Sequence, residues 1–187
     1  MILNEDFIKE HGKGRIKKAM QDSRLYPLKE DFNQFTKYDL FISHSFKDKE
    51  KIIGLRELFE ECGYVVYIDW IDDKNLNRNN VTQETAEIIK SRINASKGLA
   101  YIATDNITNS KWCPWELGLA DGMKNRACIL PVISGISSFK GQEYLGMYPY
   151  LDYEKVKYTN RYEFFVNSNI DIQTYITLRE WLNGKSI

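Results

Sequence analysis

The stretch Trp112-Cys113-Pro114-Trp115-Glu116 sets one carboxylate beside two tryptophans at the expected start of a helix. Proline suits the first helical position, where a missing N–H costs nothing. The helix is therefore expected to open at Pro114 and to run to about Asn125. Glu116 then falls in the first turn, where the helix N-terminus favours negative charge by ~0.3–1 kcal/mol. An ionised carboxylate between two indoles suits the stabilisation of a developing cation, and an aromatic face such as that of Trp112 suits a planar cationic ring. Pattern alone also allows a plainer reading, in which Glu116 complements the helix dipole at the surface and the tryptophans pack the core or its rim.

The chemistry that needs one carboxylate is narrow. Ordinary glycosidases use two, because the leaving oxygen must be protonated. Nicotinamide in NAD⁺ is already cationic, so its N-glycosidic bond needs no general acid. One preorganised carboxylate can orient the ribose hydroxyls and stabilise the oxocarbenium-like transition state. Other candidates are His44 as a base, Cys113 as a thiolate near a helix N-terminus, and Asp72-Asp73 as metal ligands. Each has an equally simple structural reading: a hydrogen-bonded histidine, a packed thiol, a solvated acidic loop. Asp121 lies five residues after Glu116, off its helical face.

These residues need a scaffold. Tyr38–Ser43 is a short apolar run that reads as a buried strand ending at His44-Ser45. Ile52, Leu55, Leu58, Phe59 and Cys62 mark one face of a helix from Asp48 to Cys62, with Gly63 placed for a left-handed cap. Tyr64–Ile68 is β-branched and aromatic, and reads as a second strand. Val81–Ala95 reads as a helix with Ile88, Ile89 and Ile93 inward and Asn80 or Thr82 as its cap. Gly98–Ala103 and Ala127–Ile133 read as the third and fourth strands, with Pro131 where the ladder is incomplete. A fifth, edge strand is expected near Tyr148–Leu151 and a helix over Ile172–Leu182, stopped by Gly184. His11-Gly12-Lys13-Gly14 is expected to interrupt any long helix near the N-terminus, leaving at most a short one over Arg15–Met20.

Strands alternating with helices imply right-handed crossovers and a parallel sheet. The expected fold is α/β and flavodoxin-like, a central parallel sheet of about five strands with helices on both faces. Ligands then sit beyond the carboxyl ends of the strands. That edge collects Ser43, His44, Ser45, Asp69, Asp72, Asp73, Asp105, Trp112, Cys113 and Glu116. The expected division is an extension over 1–36, the main domain over 37–155, and a helical extension over 156–187.

Composition narrows the class. The 187 residues include 43% hydrophobic and 28% charged, which is ordinary for a globular chain. Lys+Arg and Asp+Glu are 26 each, so no global basic field favours nucleic acid. Cys62, Cys113 and Cys128 form no C-x-x-C pair, which argues against a disulfide framework or structural zinc. The acidic start Met1–Asp6 does not read as a secretory signal, and no run of ~18 apolar residues offers a membrane span. A cytoplasmic location is expected.

Tyr38–Ser45 resembles the first sequence box of Toll/interleukin-1 receptor (TIR) domains, and Ser110–Leu117 resembles their S-x-W-C-x-x-E-L box. Val66–Asp73 and Val81–Ala86 are similar to stand-alone bacterial TIR proteins. The resemblance spans about residues 37–150. It implies the flavodoxin-like fold and, in many bacterial and plant members, NAD⁺ cleavage with the box glutamate catalytic, here Glu116. It further implies that Ser43, His44, Ser45 and Phe46 line the nucleotide pocket, with Asp69 and Trp112 at its edge. NAD⁺ is then substrate rather than cofactor, and no metal is implied. Self-association through TIR surfaces is expected, as are a nucleotide signal in anti-phage defence and a separate effector. The loop Asp69–Leu76 lacks the R-D-x-x-P-G motif of animal adaptor TIR domains, which weakens a pure adaptor role. The alternatives are a non-catalytic TIR interaction module and a nucleoside deoxyribosyltransferase-like enzyme.

Overall fold

The computed structural model describes residues 3–21, 37–73, 82–107, 110–134, 143–168 and 173–187. In chain order the elements are β1 (Leu3–Asn4), α1 (Glu5–Gln21), β2 (Tyr38–Ser43), α2 (Lys49–Glu61), β3 (Val66–Tyr67), α3 (Asp69–Asp72), α4 (Gln83–Ala95), β4 (Ser96–Ala103), α5 (Trp112–Lys124), β5 (Ala127–Ile133), β6 (Tyr150–Lys155), β7 (Tyr162–Asn167), β8 (Tyr175–Thr177) and α6 (Leu178–Leu182). A short 3-10 turn, Phe46–Asp48, joins β2 to α2.

The strands lie in the order β3-β2-β4-β5-β6-β7-β8, with β1 also paired to β5. The run from β3 to β6 is parallel throughout. Its order is the flavodoxin-like 2-1-3-4-5 that right-handed crossovers build, as the sequence led us to expect. Alternation along each strand feeds two cores. Leu40, Ile42, Ala100, Ile102, Cys128 and Leu130 face one side, where α2 brings Ile52, Leu55, Leu58 and Phe59. Phe41, Leu99, Tyr101 and Ile129 face the other, where α4 brings Ile89 and Ile93 and α5 brings Cys113, Leu117 and Ala120. Helices therefore cover both faces.

Local signals in the sequence fix several ends. Thr82 caps α4 by accepting from the Thr85 N–H, while Asn80, the other candidate, lies outside the described residues, as does the expected helix start at Val81. Gly63 and Gly184 take positive φ at the ends of α2 and α6, where only glycine does so cheaply.

Three expectations need correction. The glycines at 12 and 14 do not break the N-terminal helix, because α1 runs unbroken from Glu5 to Gln21. Gly12 sits where two helices nearly touch: a Cβ on it would lie 3.2 Å from the Gly54 Cα, and one on Gly54 would lie 2.0 Å from the Ile8 carbonyl oxygen. Close packing, not chain breaking, uses Gly12 and Gly54. The strand expected at an edge near 148–151 is instead β6, covered by an antiparallel hairpin partner, β7, with β8 beyond it. Within the helix expected over 172–182, Tyr175–Thr177 is strand and only Leu178–Leu182 is helical. Pairing with β7 takes the first half, and a capping box of Thr177 and Glu180 starts the helix late. The rest of the expected N-terminal extension, 22–36, lies outside the described residues.

Replacing Gly54 by alanine should push α1 off α2 and lower the unfolding free energy by about 1–3 kcal/mol. Urea denaturation reads this, and unchanged stability would contradict the close contact with Ile8.

Candidate active site

Ser43 ends β2, and its hydroxyl donates to Glu116 Oε2 at 2.7 Å across 73 residues of chain. Glu116 is 0% exposed. Its burial follows from the helix pattern: Trp112, Cys113, Glu116, Leu117 and Ala120 form the inward stripe of α5, at the three- and four-residue spacings of one helical face. A carboxylate inside an apolar stripe must find polar partners, and Ser43 supplies one. The plainer reading of Glu116 as a solvated dipole-complementing residue does not hold.

The helix begins earlier than Pro114. It starts at Trp112, where the Cys113 N–H donates to Ser110 Oγ at 3.2 Å. Pro114 is therefore the third helical residue, not the first. It remains harmless there because the first four N–H groups of a helix have no partner within it. Glu116 is the fifth residue, one turn in from the end.

The loop after β2 is clamped onto this helix. The Cys113 thiol donates to the His44 carbonyl oxygen at 3.2 Å, so Cys113 acts as a buried structural contact. The His44 ring has both nitrogens engaged. Nδ1 lies 2.9 Å from the Ile42 carbonyl oxygen and so must donate. The Trp70 indole, which only donates, lies 3.0 Å from Nε2. These partners assign a neutral ring protonated on Nδ1, whose Nε2 lone pair is already occupied. Asp69 Oδ1 lies 3.5 Å from Nε2, a close approach rather than an ion pair once the ring is neutral. His44 thus reads as the hydrogen-bonded structural histidine and not as the base.

Ser45 accepts from the Lys47 N–H at 3.4 Å and caps the 3-10 turn. Phe46, next on the loop, is 64% exposed. The Lys49 ammonium lies 3.9 Å from the Phe46 ring centroid and 5.3 Å from that of Trp70, a cation–π bridge between the two rings. Trp112 is nearly buried and packs edge-on against Trp115, with ring centroids 5.5 Å apart. Most of its surface serves the core on that side of the sheet, while Trp115 presents more to the outside.

Ser43 and Glu116 thus meet directly, His44 and Asp69 stand side by side, and Ser45 and Phe46 follow on the same loop. The acidic pair Asp72-Asp73 is engaged in structure. Asp72 accepts from the Ile68 N–H at 2.7 Å, and Asp73 takes the Tyr67 hydroxyl at 2.7 Å and a two-pronged contact from Arg92. Among the described residues no group of three or more His, Cys, Asp or Glu could hold a metal ion. Trp70 is the residue that sequence reading passed over. The signal was present, since a tryptophan beside an acidic residue at a strand end carries one N–H that needs a partner.

The three cysteines are free. Burial, with Glu163 and Glu61 nearby, pushes Cys62 up to about 12, and burial also raises Cys128. Among the described residues no helix is long and apolar enough to cross a membrane.

A flavodoxin-like sheet with a buried serine–glutamate contact at the carboxyl ends of its strands defines an α/β protein of the TIR type. The family model for the TIR domain matches residues 40–164, and the chain belongs to that family. A Bacillus cereus (strain MSX-D12) protein named as a probable 3′ cyclic ADP-D-ribose synthase, ThsB′, is 43% identical over 147 residues, covering 78% of this chain and 75% of that protein. The NAD(+) hydrolase TcpC of Escherichia coli O6:H1 (strain CFT073) is 30% identical over 118 residues, covering 60% of this chain and 36% of its own length. Among solved structures, the TIR domain of the Toll-related receptor TRR-2 from Hydra magnipapillata is 18% identical with a TM-score of 0.44, covering 58% of this chain and 78% of that one.

Removing the Ser43 hydroxyl leaves a buried carboxylate short of a donor. Ser43→Ala should lower the unfolding free energy by about 1–3 kcal/mol, measured by urea denaturation. Wild-type stability in that variant would show that the contact is not made.

Proposed function

We propose that this chain cleaves the nicotinamide–ribose bond of NAD⁺, with Glu116 as the catalytic residue. The observation that carries the reading is the Ser43–Glu116 hydrogen bond inside the sheet edge where α/β proteins of this kind bind ligands. The relatives named for cyclic ADP-D-ribose synthesis and NAD⁺ hydrolysis support it.

The chemistry follows from the leaving group. As the C1′–N bond lengthens, its electron pair goes to the pyridinium nitrogen, and nicotinamide departs neutral. Positive charge moves to the ribose C1′ and ring oxygen. Glu116 stabilises that charge and accepts from the ribose hydroxyls, while the Ser43 hydroxyl fixes the carboxylate oxygen it touches. No proton need be delivered to the leaving group, which agrees with a histidine whose ring nitrogens are both occupied. Water attacking C1′ gives ADP-ribose and a proton. A hydroxyl or adenine nitrogen of the same molecule gives a cyclic ADP-ribose, again with loss of nicotinamide and a proton.

The loop Ser43–Phe46 holds the nucleotide, with Phe46 at its mouth, and Asp69 and Trp112 bound the pocket. NAD⁺ is the substrate and the reaction needs no further cofactor. The chain works in the cytoplasm, self-associates through TIR surfaces, and makes a nucleotide signal for a separate effector in anti-phage defence.

The test is a substrate panel on the full chain over a concentration series, with products read by mass spectrometry. Nicotinamide is expected from NAD⁺, with a linear or cyclic ADP-ribose and no turnover of deoxynucleosides. Glu116→Gln should lower nicotinamide release by about 10²–10³-fold. Undiminished release in that variant overturns the assignment. Deoxynucleoside turnover would mark a deoxyribosyltransferase-like enzyme, and association without turnover an interaction module.

A further inference from the structure

Outside the serine–glutamate contact, the described structure holds a second buried polar centre on the same edge of the sheet. It is Asp48, the last residue of the 3-10 turn after β2, and its side chain is 1% exposed. Asp48 Oδ2 accepts from the Thr104 hydroxyl at 2.6 Å. Asp48 Oδ1 accepts from the Asn106 amide at 2.7 Å and from the Lys51 ammonium at 2.8 Å. Thr104 and Asn106 lie in the loop that leaves β4 and leads towards Trp112 and Glu116. Asp48 therefore ties together the two loops that carry the site.

The N-terminal helix reaches the same centre. Lys51 Nζ is 2.8 Å from Asp48 and also 2.8 Å from Glu5, the first residue of α1. Glu5 shares a hydrogen bond with Ser134 at the end of β5, and Ser134 Oγ lies 3.3 Å from Asp105 Oδ2 in the β4–α5 loop. That loop is thus held from two directions, by Asp48 at Thr104 and Asn106 and by Ser134 at Asp105. The first line leads back to Glu5 through Lys51; on the second, the one Ser134 hydroxyl proton serves either Asp105 or Glu5 at a time. Burial alone would raise the Glu5 carboxyl, but its bonds to Lys51, Lys9 and Ser134 outweigh this and lower it to about 2. The Glu5 anchor is therefore a charged one at neutral pH.

We propose that Asp48 and Glu5 are positioning residues for the NAD⁺ reaction: they set the loop Thr104–Ile107 against the loop His44–Phe46, so that α1 is a working part of the site. This rests on the function proposed above. The effect of Asp48 and Glu5 falls on the loops that receive the nucleotide, while Ser43 and Cys113 hold α5 independently of them. Losing them should weaken substrate binding more than the bond-breaking step.

The experiment compares the full chain with Asp48→Asn, Glu5→Gln and the double variant. Asp48→Asn keeps the shape but turns an acceptor oxygen into a donor beneath Thr104 and Asn106. KM for NAD⁺ should rise about tenfold in Asp48→Asn and about threefold in Glu5→Gln, with kcat within about threefold of wild type. The double variant should be no worse than Asp48→Asn alone, as coupled residues behave. Amide hydrogen exchange at residues 104–107 should speed up about tenfold in Asp48→Asn while exchange in β4 and β5 stays unchanged. A purely structural role would lower melting temperature and scale kcat with the folded fraction, leaving KM and local exchange unmoved. That outcome overturns the proposal. If the wild-type chain releases no nicotinamide, the proposed function fails by itself, and the exchange measurement alone decides the loop coupling.

Discussion

A fully buried carboxylate is costly unless its oxygens are met by donors, and the hydrogen bond from Ser43 answers that constraint at Glu116 Oε2. One partner is the last residue of a central strand. The other sits one turn inside α5, the helix that follows β4 and packs against β2, β4 and β5. The bond can form only if β2 ends where it does, if α5 lies along the same face, and if the loop between β4 and α5 has the length to bring them together. Strand order, helix register and loop course all converge on this one contact.

The surroundings repeat the arrangement. The thiol of Cys113 holds the carbonyl of His44, and the indole of Trp70 holds its ring, so the loop after β2 is fixed to α5 on one side and to α3 on the other. On the same loop Phe46 presents exposed aromatic surface, bridged to Trp70 by Lys49. On the function proposed above, a buried carboxylate with aromatic side chains nearby suits a substrate with one planar charged ring and a bond that breaks by charge migration.

Much of the scaffold was legible because its signals are local. The apolar runs of β2, β4 and β5, the inward stripes of α2 and α4, the glycine caps and the Thr82 cap depend on neighbours in sequence, and they appear where expected. The failures share a cause. Gly12 reads as a breaker locally and acts as a contact point because Gly54 lies against it. Tyr175–Thr177 carries a helical spacing and becomes strand because β7 offers a free edge. Pro114 reads as a helix start, and Ser110 moves the start upstream by capping from outside the window. In the first two cases a tertiary partner overrides the local preference; in the third a local one, three residues upstream of Cys113, does so.

The candidate site was legible in its membership and less so in its roles. The carboxyl-edge rule collected Ser43, His44, Asp69 and Glu116. That Glu116 faces inward was written in its three-residue spacing from Cys113, yet a pattern cannot say that Ser43 waits opposite. The division of labour, with His44 structural and Ser43 the partner of the carboxylate, needed the geometry. Its most direct test is a double-mutant cycle on nicotinamide release, comparing wild type, Ser43→Ala, Glu116→Gln and the double variant under one set of assembly conditions. If Ser43 acts through Glu116, Ser43→Ala lowers the rate about tenfold in the wild-type background and leaves the residual rate of Glu116→Gln unchanged. An equal loss in both backgrounds would contradict the account.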